Sequence, residues 1–238
     1  MSGSAAAPAQ PARHALAWPL PAAYASLRAQ AGDDEARAAL TLWRARGFPL
    51  VVRRRDGATD AQRGDVAVGL PLPPAQGKRR LAFVLSRSGI ERLAPPLALR
   101  AIAAALPPPW CGPLAQLDGD ARTLGVVLHG FGALAWQAIT GLAYAHPASD
   151  VDLVFRPATA RALDGVLALF DRWERDAQRR IDAEIAFGDD ACVQWREWRA
   201  EGAGDRVLVK SAAGAALVAR AALFRRMTAT AQTVATTR

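Results

Sequence analysis

The chain has 238 residues, 51% of them apolar, and 30 Lys and Arg against 22 Asp and Glu give it a net charge of +8. That length and apolar content exclude a disordered chain and suit a core of one or two domains. No apolar run reaches the roughly 18 residues of a spanning helix, and two cysteines and three histidines, scattered along the chain, do not make a zinc cluster.

The first 12 residues, rich in Ala and Pro, lack the basic start and apolar stretch of a secretion signal. They read as a disordered lead-in, and the cytoplasm is the expected compartment, with no membrane partner. Nearly all the positive charge is Arg; Lys occurs only at Lys78 and Lys210. GC-rich codon usage explains part of that excess. The planar Arg fork suits phosphates and carboxylates, so the rest points to an anionic partner: a polyphosphate, a nucleic acid or an acidic protein.

In chain order, RHALAWPLP is short and apolar, and AAYASLRAQ is helical. A second helix starts at Asp33, Asp34 and Glu35 and stops at Arg44, Arg46 and Gly47. FPLVVRRR, VAVGLPLP and LAFVLS read as strands. SGIERLAPPLALRAIAAAL reads as one or two helical pieces broken at Pro95-Pro96. PPPWCGP, residues 107–113, is the expected linker. It divides an N-terminal α+β domain, 13–108, from a catalytic domain, 109–224, with a disordered tail over 225–238.

The second half opens on LGVVLH, 124–129, an expected buried strand. Gly130-Phe131-Gly132 is a turn, and ALAWQAIT is a short helix ended by Gly141. SDVDLVF alternates, with Asp150 and Asp152 on one face and Val151, Leu153 and Phe155 on the other. Residues 159–180 form an amphipathic helix. IDAEIAF, 181–187, alternates again with Asp182 and Glu184 on one face, Gly188-Asp189-Asp190 is a hairpin turn, and ACVQWREW and RVLVKS are strand-like.

Charges inside apolar segments cost stability unless they reach water or a partner. Two such segments follow a glycine turn, so either their carboxylates form a solvated face or a cation meets them. Residues i and i+2 of a strand share a face about 6.6 Å apart. Asp150 and Asp152 can hold one or two Mg²⁺ ions, which also take phosphate oxygens. Gly130 and Gly132 let the backbone approach a phosphate, and the helix behind them offers free N–H groups. Asp182 or Glu184, with Asp182 preferred, would complete a two-metal site or take the proton of an attacking hydroxyl.

The order strand, glycine turn, helix, Ser-Asp-x-Asp strand, long helix, acidic strand resembles the nucleotidyltransferase fold shared with DNA polymerase beta. More narrowly, the chain resembles the malonate decarboxylase holo-acyl-carrier-protein synthases, or phosphoribosyl-dephospho-CoA transferases. The resemblance covers residues 13 to about 224. It rests on Arg13-His14-x-Leu16-x-Trp18, on Gly47-Phe48-Pro49-Leu50-Val51-Val52-Arg53, and on Gly132-x-Leu134-Ala135-Trp136-Gln137-x-Ile139-Thr140-Gly141 followed by Ser149-Asp150-x-Asp152-Leu153. Asp182-Ala183-Glu184-Ile185 and Val207-Leu208-Val209-Lys210 fit as well.

The resemblance implies transfer of 2′-(5″-phosphoribosyl)-3′-dephospho-CoA from its 5″-triphosphoribosyl precursor to a serine of the malonate decarboxylase acyl carrier subunit, with pyrophosphate leaving. Asp150, Asp152 and Asp182 are the expected Mg²⁺ ligands, and Glu184 joins them among the catalytic candidates. Gly130, Gly132, Ala133, Gln137, Ser149, Lys210 and Arg53 are the expected substrate contacts. Ala133 departs from the superfamily's Gly-Ser, which removes one hydrogen bond to the triphosphate, worth about 1.5–3 kcal/mol. Two other readings compete: a nucleotidyltransferase using a common nucleoside triphosphate, and a noncatalytic basic module binding RNA or an acidic protein, whose affinity would fall with salt. Nucleic acid is the less favoured partner.

Overall fold

The computed structural model describes residues 11–54, 64–188, 191–200, 205–211 and 214–227. The chain folds as two compact units divided after Pro95. The boundary expected at 108/109 therefore moves to 95/96. The proline-rich stretch 107–113 lies inside the second unit, because residues 97–106 already pair and pack there. The expected lead-in falls outside the described residues except for 11 and 12. So does the expected tail beyond 227, while residues 225–227 close a helix.

In the first unit an antiparallel sheet is ordered β4-β3-β2-β1-β5, from β1 (Leu16–Pro19), β2 (Leu50–Val52), β3 (Asp65–Pro71), β4 (Arg80–Ser86) and β5 (Ile90–Ala94). Helices α1 (Ala23–Gln30) and α2 (Asp34–Arg46) accompany it. The α2 signals act as expected. The Asp33 carboxylate accepts from Ala36 N–H at 2.8 Å, and Gly47 ends the helix at φ 64°. Leu40, Trp43, Leu50 and Val68 are fully buried. The segment 90–94 is a strand, not the expected helix. It zips onto β1 through Leu16↔Ala94 to Trp18↔Arg92, and cross-strand pairing outweighs the modest helical propensity of IERLA.

The second unit holds a mixed sheet ordered β12-β11-β10-β9-β8-β7-β6. Its strands are β6 (Leu97–Ala98), β7 (Leu128–Gly130), β8 (Val151–Phe155), β9 (Ile181–Phe187), β10 (Ala191–Gln194), β11 (Arg206–Ser211) and β12 (Gly214–Ala219). Only β8 and β9 pair in parallel among the described residues, joined through α6 (Ala160–Ala177). The other helices are α3 (Leu99–Ala105), α4 (Cys111–Thr123), α5 (Gly132–Thr140), α7 (Trp195–Arg199) and α8, residues 220–227. The fold is thus α+β, with an antiparallel sheet in the first unit and a mixed one in the second.

One face of β8 and β9 supplies Val151, Leu153, Phe155, Ile181, Ala183, Ile185 and Phe187, all buried against Leu163, Val166 and Phe170 of α6. Three sequence expectations shift here. The strand expected at 124–129 covers only 128–130, since Leu124-Gly125 turns the chain out of α4 and Val127 is 42% exposed. Residues 111–123 are helical although no helix is evident in their sequence. The strand-like run ACVQWREW breaks at Gln194, whose Oε1 accepts from Arg196 and Glu197 N–H and starts α7. Both cysteines are free thiols.

Candidate active site

The face of β8 and β9 opposite the core carries the acidic residues. Register places Asp152 directly opposite Asp182, and Glu184 opposite Val154 and Gln194. Strands lie about 4.8 Å apart, so Asp152 and Asp182 are immediate neighbours, with Glu184 one row further along. Asp150 precedes β8 by one residue and is half-buried, as Asp152 is. The Gln194 amide donates to Asp182 Oδ1 at 3.2 Å and fixes that carboxylate from the next strand. The start of β9 is pinned by Glu174, whose Oε1 accepts from Ile181 N–H at 2.6 Å.

The glycine turn meets this face. Phe131 N–H donates to the Asp152 carbonyl at 3.0 Å, which brings the start of α5 alongside β8. Gly132 has φ +67°, and a Cβ there would stand 2.6 Å from Asp152 Cγ and closer still to its Oδ2. The Asp152 carboxylate therefore occupies the space that any side chain at 132 would need. No side chain caps α5. Its first N–H groups have no partner within the helix and open beside Asp152. A Cβ at Gly130 would instead run into Ile102, so that glycine serves packing against α3.

Among the described residues no group of three His, Cys, Asp or Glu side chains is assembled for a metal ion. Asp150 and Glu184 lie on opposite sides of the Asp152–Asp182 row. Two carboxylates beside the N-terminus of α5 are the residues that could hold Mg²⁺, which takes one or two protein carboxylates and completes its shell with waters and substrate oxygens.

Family models place the chain. The phosphoribosyl-dephospho-CoA transferase MdcG N-terminal domain matches residues 12–96, and the MdcG C-terminal domain matches residues 97–221. The chain belongs to this family. A protein of Xanthomonas campestris pv. campestris named phosphoribosyl-dephospho-CoA transferase is 43% identical over 212 residues, covering 89% of this chain and 96% of its own. Proteins of the same name from Bradyrhizobium diazoefficiens and Pseudomonas putida are 34% and 32% identical, over 84% and 88% of this chain and 87% and 94% of their own. No solved structure matches the chain.

The motif Trp136-Gln137-x-x-Thr140-Gly141, one basis of the resemblance to the family, builds the loop that delivers the aspartates. Gln137 Oε1 accepts from Tyr144 N–H at 3.2 Å and Ala145 N–H at 2.9 Å. The Thr140 hydroxyl donates to Trp136 O and accepts from Leu142 N–H, and Gly141 caps α5 at φ 71°. Trp136 and Tyr144 are buried with rings 6.4 Å apart, and burial pushes the Tyr144 hydroxyl pKa up. Ser149, 8% exposed, accepts from His146 N–H at 2.9 Å. Expected as substrate contacts, Gln137 and Ser149 thus have their side-chain oxygens engaged by the loop backbone.

Ala133 lies in the first turn of α5, half-exposed. Lys210 shares the acidic sheet face but pairs with Cys192, itself opposite Ala186. Two strands and four residues separate it from Asp182, roughly 16 Å. Arg53 belongs to the first unit, where its side chain donates to Val68 O and Arg54 O. Gln194, not singled out in the sequence, is the residue that touches Asp182. Its signal lay only in a strand register that a sequence does not print.

Proposed function

We propose that this protein is a phosphoribosyl-dephospho-CoA transferase that moves 2′-(5″-phosphoribosyl)-3′-dephospho-CoA from a 5″-triphosphoribosyl donor onto a serine of the malonate decarboxylase acyl carrier subunit. Family membership supports the activity. The observation that carries the site is the Asp152 carboxylate, seated on Gly132 at the mouth of α5 and in register with Asp182. The order of β7, glycine turn, α5, β8, α6 and parallel β9 supports a polymerase beta-like nucleotidyltransferase arrangement for the second unit.

In this reading the α5 N–H groups bind the donor's polyphosphate. Asp150 and Asp152 would hold Mg²⁺, which would supply charge neutralisation for phosphoryl transfer. Asp182, oriented by Gln194, accepts the proton of the carrier serine. The serine oxygen bonds to the α-phosphorus as the bond to the β-phosphate oxygen breaks, and pyrophosphate departs. Ala133 leaves the phosphate grip to the backbone.

Asp150→Asn and Asp152→Asn test the reading, with the mass of the carrier subunit as readout. Each should lose transfer by about 100- to 1,000-fold, a scale set by losing a preorganised charge-stabilising group, with an unchanged circular dichroism spectrum. Transfer at the native rate in both variants overturns the reading.

A further inference from the structure

The face that carries Asp182 and Glu184 continues across the sheet. Register leads from Glu184 to Gln194 and from Cys192 to Lys210, then through Leu208↔Leu217 and Arg206↔Ala219 to β12. Directly opposite residues of antiparallel strands share a face. Arg206, Leu208, Lys210, Ala215, Leu217 and Ala219 therefore look out on the side of Asp182, while Val207, Val209 and Val218 turn to the core. None of the six outward residues is buried, and Leu217 is 56% exposed.

Strand β12 is also the edge of this sheet among the described residues. Leu208 N–H donates to the Glu197 carboxylate. Leu208↔Leu217 is thus a pair without ladder hydrogen bonds, and the N–H and C=O of Leu217 point outward. Alternation turns those of Ala215 and Ala219 outward too. On the core side of the same strand lies an open groove of about 650 Å³, lined in part by Phe187, Val209, Ala216 and Val218. An apolar edge strand with open backbone groups is a template for another protein.

Charge decides which occupant fits. The charged residues of β11, β12 and α8 are Arg206, Lys210, Arg220, Arg225 and Arg226, with no carboxylate among those described. A second copy of the chain would set these cations against each other. A nucleic acid would leave Leu217 and the alanines unused, and this face of β10–β12 has no aromatic ring on which bases could stack. An acidic protein surface with an apolar side chain at its centre meets both the charge and the leucines. Reach fits as well. Three strand spacings, about 14 Å, separate β12 from β9, and a domain of about 100 residues has a radius of gyration of about 13 Å. A domain seated over β11 and β12 therefore reaches Asp182 from the side away from α5.

We infer that the acyl carrier subunit docks on the open face of β11 and β12, with an apolar side chain over Leu208 and Leu217 and carboxylates toward Arg206 and Lys210. The inference rests on the transfer reading of the same site, in which the donor's polyphosphate lies at α5 and the serine comes to Asp182.

The test uses the full-length protein, the unmodified carrier subunit, and the variants Leu217→Asp, Arg206→Glu and Asp152→Asn. Carrier binding is followed by fluorescence anisotropy without donor, and transfer by steady-state kinetics. Like charges brought together at an interface repel strongly, so Leu217→Asp and Arg206→Glu should each weaken carrier binding and raise the carrier's KM about 10- to 100-fold. The donor's KM and the melting temperature should stay native. Added NaCl should weaken carrier binding to the native protein more than to Arg206→Glu. Native carrier affinity in both face variants overturns the inference. If Leu217→Asp lowers the melting temperature, Arg206→Glu decides, and native carrier affinity there overturns it. A variant that loses self-association or oligonucleotide binding while it holds the carrier as before also overturns it, in favour of a second copy or a nucleic acid. Loss of transfer in Asp152→Asn with native carrier binding in the face variants sinks only the docking assignment. Transfer retained in Asp152→Asn sinks the transfer reading, and binding measured without donor still reports on the face.

Discussion

At Gly132 backbone geometry and site chemistry make the same demand. A positive φ costs a residue bearing a Cβ about 1–2 kcal/mol, and here that Cβ would also collide with the Asp152 carboxylate. Gly141 has nearly the same φ, 71°, with nothing within 4 Å of its added Cβ. The two glycines therefore separate strain from displacement. Gly132→Ala should push Asp152 off its row and lower transfer by about 100-fold, the scale of a 1 Å misplacement. Gly141→Ala should lower stability by about 1–2 kcal/mol and leave turnover near native. Steady-state kinetics beside thermal melts check the pair, and equal kinetic losses would mean that Asp152 does not depend on the space at 132.

The loop between α5 and β8 sets where the aspartates begin. Gln137 and Ser149 hold it from its two ends, and Arg179 braces it at Pro147. Gln137→Leu strands the N–H groups of Tyr144 and Ala145, at roughly 1–3 kcal/mol for each group left buried without a partner. Faster amide exchange across residues 142–149, with a lowered melting point, is the expected outcome. A direct donor contact would instead raise the donor's KM and leave loop protection as it was. Such a loop is hard to read in sequence, because Gln137 looks equally fit for ligand or backbone. The acidic strands were legible, since a period of two over Val151–Phe155 and Ile181–Phe187 needs only one dry face and one wet face. The stops at Gly47 and Gly141 were legible for the same local reason, a left-handed cap. Helix α4 was not. Gly112, Pro113 and Gly119 mask its Leu114, Leu117 and Ala121 stripe, and burial in the core rather than propensity holds it. Nor was β5, whose partner β1 lies more than 70 residues earlier in the chain.

Over the whole molecule, the two units carry different acid-sensitive groups. In the second, burial pushes the His129 pKa below its ordinary value. The positive charge of Arg122 pushes the same way, and Asp118 opposes it. The folded unit thus keeps His129 neutral where an unfolded chain would take up a proton near pH 6.5. A depressed pKa stabilises the fold above the unfolded value, and that contribution drains away as pH falls through the folded one. In the first unit the Arg79 fork, then the Ala36 N–H, hold the Asp33 carboxyl below its usual range. The sign is the same, but the window opens only below about pH 4, and Asp33 is solvent-screened, so its share is small. Acidification from pH 7 to 5 should therefore loosen β7 and β8 while α2 keeps its protection. Amide exchange followed by segment, corrected for intrinsic rates, measures both units in one sample. His129→Gln should flatten the response of β7 and β8 over that range without touching α2. A first unit that loosens before the second, or a His129→Gln protein with the parent's acid response, would assign the sensitivity to other groups.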